Sequence, residues 1–374
     1  MSQPKAQPTH GLGGLKYDPT KKTRAPEWNV FAALVFIVLI FEILNRINGT
    51  SFLFNMRDNM PGLFNQQRLD IMILQVAITG VIALGVTQVI ILGGIDLSSG
   101  SVVGATAMIT MSFAQTALVN GNPNPKALFG PEWMDLPVIV PIVVGLACGI
   151  LAGLVNGALI AYTKIPPFIA TLGMMVSARG AASWWSNGSP VSFPTEGYAH
   201  VANGDILGTL TLGILPWQGQ NPALFFVVLA VLFQVIMIYT RYGKHSYAIG
   251  SNEAAARMSG IDVDRHKVLV YTIAGMLAGV AAIMLTSKNL TAQAGMGMQY
   301  ELDAIAMAVI GGVSLSGGRG SIVGTVLGAA IFSVIISGFT SIKLGAYYQE
   351  MVKGAIIVGA VVLDQWRQRS RVRG

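Results

Sequence analysis

The sequence predicts an all-α polytopic membrane protein, and three observations carry that prediction. Hydrophobic residues make up 53% of the chain and charged residues only 11%, against about 25% charged in ordinary soluble domains. The apolar residues gather in runs of roughly 16 to 26, the length that crosses a bilayer as helix. The ten-residue alternation of a membrane β-barrel is absent.

About ten such segments follow one another, at 28–45, 70–93, 101–119, 137–162, 166–186, 222–240, 267–286, 301–315, 321–340 and 348–366. Residues 1–27 are polar and basic for too long to lead into a secretory signal, and read as a cytoplasmic tail. Trp28 marks the interface where the first segment begins. At its far end Glu42 and Arg46 stand at i, i+4, the spacing of a local ion pair. The second segment stops at Gly93-Gly94, and the third restarts after a polar break. The fourth carries Gly145, Gly149, Gly153 and Gly157, a ridge echoed by Gly275 and Gly279 and by Gly320, Gly324 and Gly328. Small residues at this spacing let helix backbones approach closely in lipid.

Pro166 and Pro167 can start a helix but not continue one, so 162–167 is a tight turn and the fifth segment begins beyond it. The sixth segment runs into the longest polar loop, 241–266. The apolar part of 301–315 is about 12 residues, short of the roughly 20 a span requires. It reads as a half-helix or re-entrant piece, covered by protein or a water-filled cavity. A basic tail, 367–374, closes the chain, and 28–366 forms one membrane domain.

Of the 24 lysines and arginines, sixteen fall in or beside the pieces that are cytoplasmic if the N-terminus is inside, six fall on the opposite side, and Arg179 and Lys353 fall within segments. Basic residues are retained on the cytoplasmic side, so both termini are expected inside. Trp28, Trp133, Trp217, Tyr347 and Trp366 lie near segment ends, as an interfacial belt places them. The net charge of +7 then reports topology rather than nucleic-acid binding. The single cysteine, Cys148, excludes a disulfide framework, and His10, His200, His245 and His266 show no metal-ligand spacing. No G-x-x-x-x-G-K-[ST] loop occurs, so any ATP must be bound by another chain.

An internal echo stands out. ILGGIDLSSG-SVVGA (91–105) aligns with VIGGVSLSGGRGSIVGT (309–325). Each copy reads as an apolar run, Gly-Gly, a β-branched residue, a polar residue, Leu, Ser, a glycine-rich bend and a new helix. The break glycines are Gly93, Gly94 and Gly100 in the first copy, and Gly311, Gly312, Gly317 and Gly318 in the second. Transporters carry interrupted segments at corresponding positions of duplicated halves, and these mark the substrate route. Asp96 in the first copy has two readings: a turn or capping carboxylate, or a path residue that with Ser98 and Ser99 faces substrate hydroxyls. Ser314 stands where Asp96 does, followed by Ser316. Asn156, polar within an apolar run, suits an interhelical hydrogen bond. Arg179 reads as a paired or snorkelling structural arginine, with a path role as the alternative.

In the loop 241–266, NEAAARMSGI reads as a short helix with Glu253 early, Arg257 late and Gly260 closing it, an arrangement that suits the helix dipole and a glycine C-cap. It resembles the E-A-A…G coupling loop of ABC importer permeases. GGIDLSSGSVVG, GLVNGALIAYTKIPPFIATLGMM (153–175) and YELDAIAMAVIGGVSLSGGRGSIVGTVLGA (300–329) resemble three motifs of the ribose/galactose/xylose-type sugar permeases. The resemblance extends from about residue 70 to 364. It implies a permease of the bacterial inner membrane, with Glu253, Ala254, Ala255, Arg257 and Gly260 seated on a cytoplasmic ATPase. It also implies a periplasmic sugar-binding protein, a second permease copy and surrounding lipid as partners. Phe168 and Thr171 are placed near the translocation path by the same resemblance. No cofactor is expected on this chain, since ATP and Mg would sit on the ATPase, and no metal site or enzymatic activity is expected.

The function this implies is passage of a monosaccharide or polyol delivered by the binding protein. Two alternatives stay open: the same architecture importing a nucleoside, an amino acid or a signalling sugar derivative, and a secondary transporter. The few carboxylates within the segments make a poor proton relay for the latter.

Overall fold

The computed structural model describes residues 26–54, 64–204 and 221–372. The tail up to residue 25, Arg57, the stretch 205–220 with Trp217, and Arg373 lie outside the described residues. The helices in chain order are α1 (Pro26–Ile47), α2 (Gln66–Ile91), α3 (Ser99–Ala114), α4 (Ile139–Thr163), α5 (Pro167–Trp185), α6 (Glu196–Asn203) and α7 (Asn221–Tyr239). They continue with α8 (Arg241–Ser251), α9 (Glu253–Met258), α10 (Val263–Asn289), α11 (Tyr300–Ile310), α12 (Ile322–Ser341) and α13 (Ala346–Val372). A helix stands at each segment the sequence marks. Among the described residues six are long and apolar enough to cross a membrane: α1, α2, α4, α7, α10 and α12. The chain is a multi-pass helical membrane protein.

α2 and α10 form the centre. α2 is apolar on every side and is buried without interruption from Ala77 to Ile91, as a helix surrounded by other helices must be. Asn65 starts it by accepting the Arg68 N–H through its side chain. α4 lies against α10 at backbone distance, for any side chain at Gly149 would run into the Gly275 carbonyl and the Gly279 backbone. The glycine ridges therefore do what their spacing predicts. α1, α4, α5 and α7 turn apolar side chains outward, among them Phe36, Leu151, Val176 and Val231. A bilayer supplies the solvent for that surface.

Two places differ from the expectation, and the short segment at 301–315 agrees with it in length. The segment at 101–119 ends as a helix at Ala114, because Gln115 turns extended and its amide bonds Lys126 O and Ser192 O while accepting Leu128 N. The segment at 301–315 is helical for only 11 residues, about 16 Å at 1.5 Å per residue, half the hydrocarbon thickness. The loop 241–266 contains a second helix, α8, that the sequence reading passed over. Its inward positions are Gly243, Ser246 and Ile249, and with Ile249 the one large apolar side chain among them no apolar stripe registers. Short pairings complete the fold. Leu118–Val119 pairs with Asn122–Pro123, and Val191–Ser192 pairs with Thr291–Ala292. α6 docks on α10 where the Tyr198 and Thr286 hydroxyls share a hydrogen bond of 2.6 Å and Ala202 N donates to Ser287 Oγ.

Candidate functional site

The first break, between α2 and α3, is a built turn. Gly93 takes a left-handed φ of +90°, which favours glycine. Its N–H bonds Ile90 O at 2.9 Å, and Gly94 N–H bonds Val89 O at 2.9 Å, the pair of bonds that closes a helix by the Schellman motif. Asp96 then folds back on the chain. Its Oδ1 accepts Ser98 N–H at 2.8 Å and Ser98 Oγ–H at 2.6 Å. Asn156 of α4 donates to Ser98 Oγ at 2.8 Å, and Thr171 of α5 has its hydroxyl 3.3 Å from Ile95 O. Asp96, Ser98, Asn156 and Thr171 are all buried, so the break, α4 and α5 meet on one sealed polar knot. Asp96 organises the turn that launches α3.

The second break, between α11 and α12, ends its helix the same way. Gly312 has φ +91° and bonds Val309 O, and Val313 N–H bonds Ala308 O. The turn glycine equivalent to Gly93 is therefore Gly312, whereas matching Gly-Gly to Gly-Gly pairs Gly93 with Gly311. This corrects the alignment by one residue and puts Leu315, rather than Ser314, opposite Asp96. Beyond the turn the two copies part. Ser314 N–H bonds Arg319 O, Gly318 N–H bonds Ile91 O at 2.8 Å, and Tyr247 of α8 donates to Gly320 O at 2.8 Å. Ser314 and Ser316 share a hydrogen bond of 3.0 Å. Gly317 lies close against Gly93 and Gly250, so the second break is seated on the end of the first through backbone.

Other expected residues fall elsewhere. Phe168 is half exposed on the outer side of α5. Ser99 is buried with its hydroxyl unpartnered, and Gly100 packs against the Glu301 carboxylate and the Gly297 carbonyl. Arg179 is a structural clamp, donating from Nη1 to Ala294 O and Met296 O at 2.6 and 2.8 Å. Glu42 and Arg46 pair at 3.4 Å, and Glu42 also accepts Leu53 N–H. The sequence reading missed Tyr271 and Glu301, both buried with an unpartnered oxygen beside the first break. Glu301 carried a signal, a carboxylate opening a short apolar segment. The cavities described on α1 and between α1, α2, α7 and α12 are lined by none of the expected path residues.

The loop helix α9 is displayed rather than buried. Asn252 caps it by accepting Ala255 N–H, and Gly260 ends it at φ +83°. Ala256 packs inward, while Glu253, Ala254, Ala255 and Arg257 are exposed and Met258 is 90% exposed. Charges staple the helix in place. Arg257 pairs with Glu253 at 3.3 Å and Asp264 at 2.9 Å, Lys164 with Asp264 at 2.6 Å, and Lys267 with Glu253 at 2.8 Å. The hydrogen bond from Lys267, aided by Arg257, holds the Glu253 carboxyl below its usual range against the opposing effect of partial burial. Bonds from Asp264 and Glu253 strengthen the hold of Arg257 on its proton. The ends of α4 and α10 and the helix between them thus form one rigid corner.

A bundle of lipid-facing helices with two interrupted segments and a stapled, exposed loop helix defines a membrane permease. Residues 68–361 match the family described as the branched-chain amino acid transport system / permease component, and the chain belongs to that family. It is 37% identical over 337 residues to the ribose import permease protein of Bacillus subtilis (strain 168), covering 90% of this chain and 91% of that one. It is 33% identical to the ribose import permease protein of Escherichia coli (strain K12), over 82% and 88%. It is 36% identical to the galactose/methyl galactoside import permease protein of the same strain, over 81% and 88%. No solved structure matches the chain significantly. As a permease component the chain is a transport subunit and not an enzyme.

Proposed function

We propose that the chain is the permease of an ATP-driven importer for a monosaccharide or polyol in a bacterial inner membrane. The observation that carries this reading is near end-to-end similarity to ribose and galactose import permeases. The family description names amino acids, but uncharged polyols suit the hydroxyl and amide chemistry at the first break. The ten segments form the membrane domain with both termini inside, which puts α9 on the cytoplasmic face for a separate ATPase to grip. A periplasmic binding protein delivers the substrate to the opposite side, and a second copy completes the pathway. Asp96, Ser98, Ser99, Asn156 and Thr171 are path residues in the state that opens the polar knot.

The experiment is reconstitution with the cognate ATPase and binding protein in proteoliposomes, assaying uptake of labelled ribose, galactose, xylose and polyols. ATP-dependent uptake of one of these is the expected result. Uptake by the chain alone under an ion gradient, or uptake only of amino acids or nucleosides, would contradict it.

A further inference from the structure

We propose that a groove between α1, α2, α7 and α12 holds one phospholipid, its acyl chain in the groove and its phosphate on Arg68. The groove has a volume of about 590 Å³, within the range of ligand-sized pockets, about 300–1,000 Å³. Leu34 and Val38 of α1, Met72 and Val76 of α2, Phe226 of α7 and Val334 of α12 line it. The one hydroxyl among the lining residues, on Ser333, is committed to Met72 O at 3.0 Å. Water has no polar partner there and does not fill such a space. A hydrocarbon chain restores the contacts an empty groove forfeits.

The charge at one end selects the head group. Arg68 precedes the lining residue Leu69 and lies one helical turn before Met72. Its Nη1 donates to Ser337 O at 3.1 Å, one turn beyond Ser333 and Val334. The guanidinium is steadied over the Phe52 ring, 5.4 Å from its centroid. Nε is buried without a hydrogen-bond partner, Nη2 makes no hydrogen bond among the described residues, and no carboxylate among them forms an ion pair with Arg68. A fixed guanidinium with spare donors beside an apolar groove matches a phosphodiester above an acyl chain. The polar, basic residues 1–25 match neither the lining nor the charge.

The test is purification of the full chain in mild detergent, with native mass spectrometry to count retained phospholipid. A photoactivatable phospholipid is then cross-linked in liposomes and its adducts mapped by peptide. One retained phospholipid per chain is expected, together with adducts on the α2 and α7 peptides that line the groove. V76W should abolish retention, and R68Q should lower it severalfold with loss of preference for phospholipid over free fatty acid. Should V76W fold poorly, the adduct map of the wild-type chain decides alone. A wild-type chain without retained phospholipid, or adducts confined to α4 and α5, would overturn the proposal. So would V76W retaining lipid as the wild type does, or residues 1–25 or a second copy cross-linked in the groove.

Discussion

The two breaks share a turn and differ in what holds them. Each helix stops at a left-handed glycine, Gly93 or Gly312, with the same pair of backbone bonds. The first is then tied by side chains, with Asp96 and Ser98 bonded to each other inside the break and Asn156 and Thr171 reaching it from α4 and α5. The second is tied mainly by backbone, with Gly318 on Ile91 and Gly317 against Gly93. The geometry of stopping a helix recurs in both, because that geometry is set by one residue and two local bonds. The surrounding contacts come from whatever the rest of the bundle presents, so they diverge. A side-chain tie can be remade by rotamer changes, and a glycine seat cannot.

The largest expected effect follows from the second seat. Gly318→Val forces a branched residue into a left-handed conformation at φ +69° and drives its side chain into Ser251. Strain and overpacking together cost roughly 2–5 kcal/mol, to be read as a collapse of the unfolding temperature in detergent. Ser316→Ala, on the exposed rim of the same break, is expected to shift stability by no more than about 0.5 kcal/mol. Equal losses at the two positions would dissolve the distinction between seat and rim. In the first break, Asn156→Leu removes the donor to Ser98 Oγ and buries an apolar group on the knot. A cost of about 1–3 kcal/mol is expected, measured by the same thermal unfolding.

The sequence made the breaks legible because glycine, serine and aspartate are conspicuous within apolar runs. The six helices among the described residues that are long and apolar enough to cross a membrane were legible from run length, and the glycine ridges from their spacing. The register between the repeats was not. Identity favours Gly-Gly over Gly-Gly, while the backbone requires only one left-handed residue and placed it at the first glycine in one copy and the second in the other. The partners of Asp96 were also hidden, since Asn156 and Thr171 arrive through tertiary packing of α4 and α5. α8 escaped notice because its buried face is made of Gly243, Ser246 and Ile249. Arg179 showed its cost in the sequence but not its carbonyl partners.

A smaller effect tests the loop helix, which lies apart from both breaks and is held by exposed charges. Arg257→Ala removes its pairs to Glu253 and Asp264. Exposed pairs contribute little to global stability, so the unfolding temperature should barely move while co-purification of the ATPase falls. Unchanged co-purification would detach α9 from coupling. The smallest effect is in pH. Glu253 has its carboxyl lowered from 4.5 in the folded chain, so its contribution is present above pH 4.5 and lost as the pH falls through the lowered value. Hydrogen exchange at α9 should therefore rise on acidification below that point, and Glu253→Gln should abolish the dependence.

The central claim is that Asp96 builds the first break by accepting bonds through one oxygen. Thermal unfolding of Asp96→Asn and Asp96→Ala measures this directly. The amide keeps an acceptor for Ser98, so the asparagine variant is expected within about 1 kcal/mol of the wild type. The alanine variant leaves Ser98 N–H and Oγ without their partner, at a cost of about 1–3 kcal/mol. An alanine variant as stable as the wild type, or an asparagine variant that falls as far as alanine, would contradict it.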